Sequence, residues 1–247
     1  MLHIVIPVYN EEPNIDGLLE GVRERFDPLG VRYRVVMVDD GSSDGTVGKC
    51  RSASRPESPI TVVSHGVNRG PGAAFLTGFL EVLKDADPLD IVVTMEGDRT
   101  SDERIVTRLL HRIWEEGDDI VLASCYLYGG GIKGTQLHRV GLSHIANGLI
   151  KKTLGLSGLA TLSSFYRAYQ VSALRKIRAK YGDQFIKSRG FECMVEILYR
   201  ASQLRLRVSE VPMVLDGSRR AGKSKMRIVK TSLAYLRLIA MARMGRL

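Results

Sequence analysis

Two pairs of acidic residues in this chain each follow directly after an apolar run rich in β-branched residues. Asp39 and Asp40 end the first run, and Glu96 and Asp98, separated by one glycine, follow the second. Carboxylate oxygens at this second spacing suit Mg²⁺ or Mn²⁺, which bind one or two carboxylates together with substrate phosphates. The sequence therefore predicts a divalent metal at Glu96 and Asp98, beside a ligand that carries phosphate.

A third polar cluster follows the first predicted strand, which ends near Pro7 because proline has no N–H to donate to a ladder. Asn10 is predicted to cap the next helix, with Glu11 and Glu12 in its first turn. The carboxyl ends of parallel strands share one edge of a sheet, and ligands bind in the crevice outside that edge. We therefore expect the three polar clusters to line one crevice.

The elements that must position these residues alternate between strand and helix along the first half of the chain. Such alternation predicts an α/β fold with a mostly parallel sheet and helices on both faces. The predicted strands lie near 2–7, 31–39, 60–65, 90–96 and 119–125, and the predicted helices near 12–26, 44–54, 72–84 and 102–116.

The second half of the chain is predicted to be less regular. A glycine-rich segment at 126–134 is expected to form a mobile loop over the crevice. It is followed by a predicted helix at 136–154, a strand at 164–170, a helix at 188–202, a strand at 206–215 and an amphipathic helix from about 225. We expect a single domain over 1–218, with a basic loop and C-terminal helix at 219–247 appended to it.

Cysteine content and hydropathy indicate the compartment. The three cysteines are scattered and odd in number, which disfavours a disulfide framework and favours a reducing compartment. No leader is visible, and no apolar run approaches the roughly 20 residues that a membrane span needs. These features predict a cytoplasmic protein, with peripheral attachment to the membrane face as one possibility.

The net charge of +9 is concentrated at the C-terminal end. Residues 217–247 contain nine lysines and arginines and no acid, so this segment accounts for the whole excess. The pattern predicts either phosphate binding near Arg219 and Lys225 or attraction to an anionic membrane surface. Nucleic acid is disfavoured as a partner because no aromatic residues are interleaved for base stacking and no recognised motif is present.

Six segments together resemble family 2 glycosyltransferases of the GT-A fold. The likeness is greatest to polyprenyl-phosphate (dolichol-phosphate) mannose or glucose synthases. It implies an inverting transfer of one sugar from a GDP- or UDP-sugar to a polyprenyl phosphate. The segments are IPVYNEE at 6–12, VDDGSSDGT at 38–46, NRGPGAA at 68–74, FECMVEI at 191–197, EVP at 210–212 and RRAGKSK at 219–225.

The resemblance also implies a role for each matching residue. Asp98, alone or together with Glu96, would hold Mg²⁺ or Mn²⁺. The catalytic set would be Asp98, Arg139, Arg219 and Lys225. The nucleotide sugar would contact Pro7, Val8, Tyr9, Glu11, Asp39, Asp40, Glu96, Gly97 and Asp98.

The acceptor is less clear from the sequence, because this chain departs from the family where sugar and acceptor should lie. Cys125 stands where the subfamily has arginine, Glu96 begins the usual Asp-x-Asp, and the segment 161–167 is altered. A polyprenyl phosphate oxygen is already anionic and needs no strong base. A soluble hydroxyl acceptor would need a carboxylate to take its proton, for which Asp102 and Glu192 are the candidates.

Two other functions remain open at this point. The segment GSRRAGKS at 217–224 fits the Walker A pattern of a P-loop NTPase. Only 23 residues follow it, with no later strand to extend a sheet, so the pattern is disfavoured. A non-catalytic nucleotide-sugar binder is the second alternative. The glycines of 129–134 fit a dinucleotide fingerprint by letters alone, without the acid that binds ribose.

Overall fold

A seven-stranded sheet forms the centre of the molecule. A computed structural model of the protein describes residues 1–134, 148, 150–220 and 228–247. Within them the sheet strands are β1 (Leu2–Val8), β2 (Tyr33–Asp39), β3 (Ile60–Ser64), β4 (Ile91–Thr94), β5 (Ile120–Ser124), β7 (Arg167–Gln170) and β8 (Val208–Pro212). A separate two-stranded sheet pairs β6 (Gly131–Lys133) with β9 (Val214–Asp216).

The order of the large sheet is β3-β2-β1-β4-β7-β5-β8. Strand β7 runs antiparallel to both β4 and β5, and the other neighbouring pairs are parallel. The predicted mostly parallel sheet is confirmed, with β7 as its one antiparallel member among the described strands.

Helices cover both faces of the sheet. Alternate residues of each central strand enter two apolar cores: Val5 and Val36 face one, whereas Ile4 and Val35 face the other. Burial on both sides explains the nearly continuous apolar runs of these strands. The described helices are α1 (Glu12–Phe26), α2 (Thr46–Ser52), α3 (Pro71–Val82), α4 (Val106–Trp114), α5 (Val171–Tyr181), α6 (Cys193–Gln203) and α7 (Ile228–Arg243).

Helix α7 packs against the body of the protein. Its Leu238 and Ala242 are buried in the same apolar core as residues of α3 and α6. Leu233 and Leu236 of the same helix are exposed. Among the described residues, no helix combines the length and the apolar character that crossing a bilayer requires.

The second half of the chain departs from the sequence prediction in four places. Helix α5 was not predicted, and the glycine-rich segment contains β6. The helix predicted at 188–202 begins only at Cys193, because side-chain carboxylates accept the preceding backbone N–H groups. The strand predicted at 206–215 is divided at Met213, whose N–H donates to the Ser124 carbonyl at 2.9 Å. Most of the helix predicted at 136–154 falls on residues outside the described part of the chain. Its described residues 150–154 are helical.

Candidate active site

A cleft of about 1600 Å³ opens at the carboxyl ends of β1, β2 and β4. The three polar clusters predicted to share a crevice all reach it. Of the residues predicted to contact a nucleotide sugar, only Asp39 does not line it. Those that do are Pro7, Val8, Tyr9, Glu11, Asp40, Glu96, Gly97 and Asp98.

Hydrogen bonds join the loop after β1 to the loop after β2. Asn10 has a left-handed backbone (φ 50°), its side-chain oxygen accepts from the Ser43 N–H at 2.8 Å, and its own N–H donates to Ser42 Oγ at 2.8 Å. The Glu11 N–H donates to Thr46 Oγ1 at 2.9 Å. Asn10 therefore bridges the two loops and does not cap α1, whose N-cap residue is Glu11.

Asp39 is buried behind the cleft wall. One carboxylate oxygen accepts from the Ser42 N–H at 2.9 Å, and the other accepts from Ser64 Oγ at 2.6 Å. Burial alone would raise the pKa of Asp39, but the hydrogen bonds from Ser42 and Ser64 outweigh it and hold that pKa below its usual value. Asp39 thus stabilises the turn after β2 from the side that faces away from the cleft.

Asp40 faces the cleft and fixes the start of α3. Its carboxylate accepts from the backbone N–H groups of Arg69 and Gly70, both at 2.8 Å, and contacts His65 Nδ1 at 2.8 Å. Gly70 has φ 92°, and a Cβ there would lie 2.3 Å from the Arg189 carbonyl oxygen. Asp40 therefore fixes the turn at 68–70 at the cleft, where Gly70 packs closely against the loop that contains Arg189.

Glu96 and Asp98 lie side by side at the end of β4. Burial and the neighbouring charge of Asp98 raise the pKa of Glu96 to about 7. Glu96 accepts a hydrogen bond from Ser101 Oγ, and Asp98 Oδ1 accepts from Thr100 Oγ1 at 2.7 Å. Gly97 lets this turn approach β1, since a Cβ there would lie 2.9 Å from the Pro7 carbonyl oxygen.

An arginine that the sequence analysis did not single out neutralises Asp98. Arg220 Nε donates to Asp98 Oδ2 at 2.7 Å, and its Nη2 contacts the same oxygen. The adjacent Arg219, predicted as catalytic, does not line the cleft and donates from Nη1 to the Ser101 carbonyl at 3.0 Å. Arg139 and Lys225, also predicted as catalytic, lie outside the described residues.

The donor set at Glu96 and Asp98 fits a divalent cation. Both are hard oxygen ligands, and the guanidinium already at Asp98 shows that this position takes a positive charge. In the described part of the chain, no group of three or more His, Cys, Asp or Glu could enclose a metal. Two carboxylates are the number with which Mg²⁺ or Mn²⁺ is held beside substrate phosphates.

The opposite wall is built from loops around β7 and α6. The Phe165 and Phe191 rings stack with centroids 5.4 Å apart, and both line the cleft. Arg167 is fully buried and donates to the carbonyls of Leu162, Ser164 and Met194 at 2.7 to 3.0 Å. This arginine therefore holds the 162–164 turn in place and is not available to a ligand.

Four exposed cations on the cleft rim have no ion pair among the described residues: Arg69, Lys187, Arg189 and Arg237. Helix α7 also contributes an apolar strip to the cleft lining, which includes Leu233, Ala234 and Leu238. Sequence analysis missed the contributions of Lys187 and Arg189 because nothing in their spacing marks them. The charge excess of the C-terminal segment was the only signal that led toward Arg220.

The Walker A pattern does not form a P-loop in the described part of the structure. A P-loop follows a strand of the large sheet, whereas 217–220 follow β9, a three-residue strand of the small sheet. The remaining residues of the pattern, 221–224, are outside the described part of the chain.

Comparison with known proteins agrees with this geometry. The chain is 30% identical over 224 residues to a polyprenol monophosphomannose synthase of Mycolicibacterium smegmatis, covering 90% of this chain and 80% of that protein. It is 29% identical to an undecaprenyl-phosphate 4-deoxy-4-formamido-L-arabinose transferase of Edwardsiella ictaluri, covering 92% of this chain and 63% of the relative.

Among solved structures, the fold matches glucosyl-3-phosphoglycerate synthase of Mycobacterium tuberculosis in complex with Mn²⁺, UDP-glucose and phosphoglyceric acid. The TM-score is 0.69 at 17% identity, over 99% of this chain and 80% of the other. This likeness shows a shared GT-A fold. Residues 3–178 match the sequence profile described as glycosyl transferase family 2, and the chain therefore belongs to that family.

Proposed function

We propose that this protein transfers a hexose from a nucleoside-diphosphate sugar to a polyprenyl phosphate, with inversion at the anomeric carbon. The observation that carries the proposal is the convergence of Tyr9, Glu11, Asp40, Glu96 and Asp98 on one cleft at the ends of β1, β2 and β4. The relatives named for polyprenol- and undecaprenyl-phosphate chemistry support the acceptor class.

The donor half of the cleft suits a nucleotide. Pro7, Tyr9 and Glu11 provide one wall, and Asp40 holds the 68–70 turn against it. Mg²⁺ or Mn²⁺ at Asp98 and Glu96 would neutralise the charge that develops on the departing diphosphate. We propose a UDP- or GDP-sugar as the donor.

The acceptor half of the cleft suits a lipid that carries a phosphate. The apolar strip on α7 lines the cleft, and the rim cations Lys187, Arg189 and Arg237 line the same cleft. Apolar side chains accommodate an isoprenoid chain, and cations attract its phosphate. Because the phosphate oxygen is anionic at neutral pH, the cleft needs no strong base to activate it.

Donor binding and transfer are tested with the full chain. Thermal-shift screening of UDP- and GDP-hexoses, with and without Mn²⁺, identifies the donor, and extraction of labelled sugar into lipid measures transfer to undecaprenyl phosphate. We expect Asp98→Asn to remove metal-dependent donor binding and transfer, whereas Asp183→Asn, an exposed acid paired with Arg178, changes neither. Unchanged metal-dependent binding and turnover in Asp98→Asn would contradict the proposed metal site.

A second acceptor class is favoured by one observation at Glu192. This side chain lines the cleft and is only 8% exposed. Its Oε1 accepts from the Gly190 N–H at 3.1 Å, while its buried Oε2 has no hydrogen-bond partner in the described structure. A hydroxyl acceptor would find a proton acceptor there, whereas Asp102, the other candidate, is paired with Arg104 away from the cleft.

Glu192→Gln separates the two acceptor classes. If the acceptor is a polyprenyl phosphate, the variant keeps transfer within a few-fold of wild type, because no proton needs to be taken up. If the acceptor is a soluble hydroxyl compound, turnover falls by about 10²–10⁴-fold, the usual contribution of a general base. The same acceptor panel, run with both proteins, decides between them.

The membrane surface is the partner that a polyprenyl acceptor implies. We place the protein at the cytoplasmic face of a membrane, with the exposed part of α7 against anionic lipid. Leu233 and Leu236 are 62% and 54% exposed there, next to the cation Arg237. Exposed apolar residues beside cations are the composition that binds such a surface.

A further inference from the structure

We propose that Arg220 is a catalytic residue. In the donor-free enzyme it pairs with Asp98, and when the metal binds it moves to the donor diphosphate. The proposal rests on the proposed function, since it takes the metal and the nucleoside diphosphate from there. It gives a role to Arg220, which lies in the basic segment 219–225, where only Arg219 and Lys225 were expected to be catalytic.

The contact between Arg220 and Asp98 is the starting observation. Two nitrogens of the guanidinium, Nε and Nη2, approach the same carboxylate oxygen, with Nε at 2.7 Å. The side chains are only 25% and 18% exposed. A charge-assisted pair with this degree of burial is screened much less by solvent than a surface ion pair.

Arg220 and a divalent metal compete for the same oxygen. Asp98 Oδ1 already accepts from Thr100 Oγ1 at 2.7 Å and from the Thr100 N–H at 3.2 Å, which leaves Oδ2 as the oxygen open to a cation. Arg220 holds that oxygen. A guanidinium and a divalent ion on one oxygen would repel each other, so metal binding requires Arg220 to leave.

The backbone that precedes Arg220 is anchored, and its side chain is the part that we expect to move. The Asp216 N–H donates to the Thr100 carbonyl at 3.0 Å, and Arg219 Nη1 donates to the Ser101 carbonyl at 3.0 Å. The Asp216 carboxylate also accepts from the Ser218 N–H at 3.0 Å. These bonds keep Arg220 at the edge of the 98–101 turn whether or not it touches Asp98.

A displaced Arg220 has a new partner within the same cleft. It lines the cleft beside the acids expected to hold the metal, which is also where the donor diphosphate would bring its negative charge. The planar fork of a guanidinium matches phosphate oxygens. Arg220 would then stabilise the leaving diphosphate together with the metal, and the free enzyme would hold metal weakly until the donor arrives.

Two binding measurements on Arg220→Ala test the proposal, and they should change in opposite directions. Mn²⁺ binding to the donor-free protein, followed by loss of the free-ion electron paramagnetic resonance signal, should tighten by about tenfold. Binding of UDP or GDP at saturating Mn²⁺, followed by calorimetry, should weaken by about tenfold. Both figures correspond to the low end of a charge-assisted hydrogen bond.

Arg104→Ala is the matched control, because it removes an arginine that pairs with Asp102 on the same turn. We expect it to leave both constants within about twofold. Arg220→Lys should restore much of the diphosphate binding, since it keeps the charge. Circular dichroism and thermal unfolding confirm that each variant is folded.

The remaining outcomes are distinct. If Arg220→Ala leaves both constants unchanged, or weakens both, Arg220 does not exchange between the two partners and the proposal is wrong. If the wild-type protein binds neither Mn²⁺ nor a nucleoside diphosphate, the proposed function and this inference both fail. Wild-type binding with no effect of Arg220→Ala overturns only the inference.

Discussion

Adjacent acids at the end of β2 have different tasks, which sequence alone could not assign. Successive side chains of a strand point to opposite sides. Asp40 therefore reaches the cleft, while Asp39 turns back to Ser42 and Ser64. The sequence correctly predicted Asp40, Glu96 and Asp98 as one cluster, because each follows a strand of the same parallel sheet. It missed Arg220 because that contact joins residues 122 positions apart.

Gly72 is expected to be intolerant of a side chain. A Cβ at this position in α3 would lie 1.8 Å from the Ser188 carbonyl oxygen, so the loop at 187–190 would have to shift. We expect Gly72→Ala to lower the free energy of unfolding by about 1–3 kcal/mol, the usual cost of overpacking. It should also weaken donor binding, because the same loop lines the cleft. Urea denaturation and nucleotide titration measure the two effects.

Gly48→Ala in α2 is the control for Gly72→Ala. A Cβ there meets nothing within 4 Å, and alanine stabilises a helix relative to glycine by up to about 1 kcal/mol. If both substitutions lowered the free energy of unfolding, the close approach of α3 to the 187–190 loop would not be the cause of the loss in Gly72→Ala.

At the scale of elements, one buried ion pair connects α6 to the loop before it. Glu196 and Arg200 are both fully buried and paired at 2.6 Å. Glu196 also accepts from the Ser188 N–H at 2.7 Å and the Lys187 N–H at 3.0 Å. Arg200 packs on the Tyr181 ring at 4.5 Å. This network holds the 187–190 loop on the cleft and explains why α6 starts later than its apolar periodicity predicted.

Breaking this pair from either side should be costly. Arg200→Met leaves Glu196 buried without its cation, and Glu196→Gln leaves Arg200 buried without its anion. We expect each to lower the free energy of unfolding by about 3–5 kcal/mol. The double variant should cost less than the sum of the two, because neither unpaired charge remains. Additive losses in urea denaturation would show that the two residues act independently.

The accuracy of the sequence prediction changes at β5. Up to that point, parallel strands buried on both faces produce long apolar runs separated by helices, and the predicted elements agree with those observed. Beyond it, β7 has only four residues and β9 only three, and side chains such as Glu196, Glu210 and Arg167 satisfy backbone groups that regular elements would otherwise pair. Short elements held by side chains leave little periodicity to detect.

At the scale of the whole molecule, the amino-terminal edge of the sheet contains a charge network remote from the cleft. The Met1 amino group contacts Asp90 Oδ1 at 2.6 Å, and His3 Nε2 contacts Asp90 Oδ2 at 3.0 Å. Arg34 Nε donates to His3 Nδ1 at 2.9 Å. Burial lowers the pKa of His3, and the hydrogen bond with Asp90 opposes this only in part.

This network predicts acid sensitivity. The unfolded chain protonates His3 near pH 6.5, whereas the folded protein resists protonation until a lower pH. Stability is therefore fully present above pH 6.5 and declines as the pH falls toward the pKa of the folded state. We expect His3→Gln to flatten the fall in urea midpoint between pH 7 and pH 5, while His111→Gln, an exposed histidine, has no such effect. Parallel pH profiles of His3→Gln and wild type would contradict this assignment.

Membrane association belongs to the same scale. We expect Leu236→Glu on α7 to reduce sedimentation with anionic vesicles by several-fold, since it removes an exposed apolar contact and adds a repelled charge. Leu89→Glu is the matched control, because Leu89 is 87% exposed and lies two residues before β4, at the edge of the sheet away from the cleft. If both variants lost sedimentation equally, the added negative charge would be the cause, and the exposed face of α7 would not be the membrane-binding surface.

The antiparallel direction of β7 has a consequence for how this enzyme can diversify. The parallel strands reach the cleft at their ends, whereas β7 reaches it at its beginning, so the chain at 155–166 passes the cleft before it enters the sheet. This segment is anchored by the buried side chains of Leu162 and Tyr166 and by Thr161, whose N–H donates to Glu210 Oε1 at 2.7 Å. We expect its cleft-lining residues, such as Thr161 and Ser163, to tolerate substitution without a shift in the register of β1, β2 or β4. Under the proposed function, a change of acceptor would then need new side chains on this wall of the cleft and no change in the sheet.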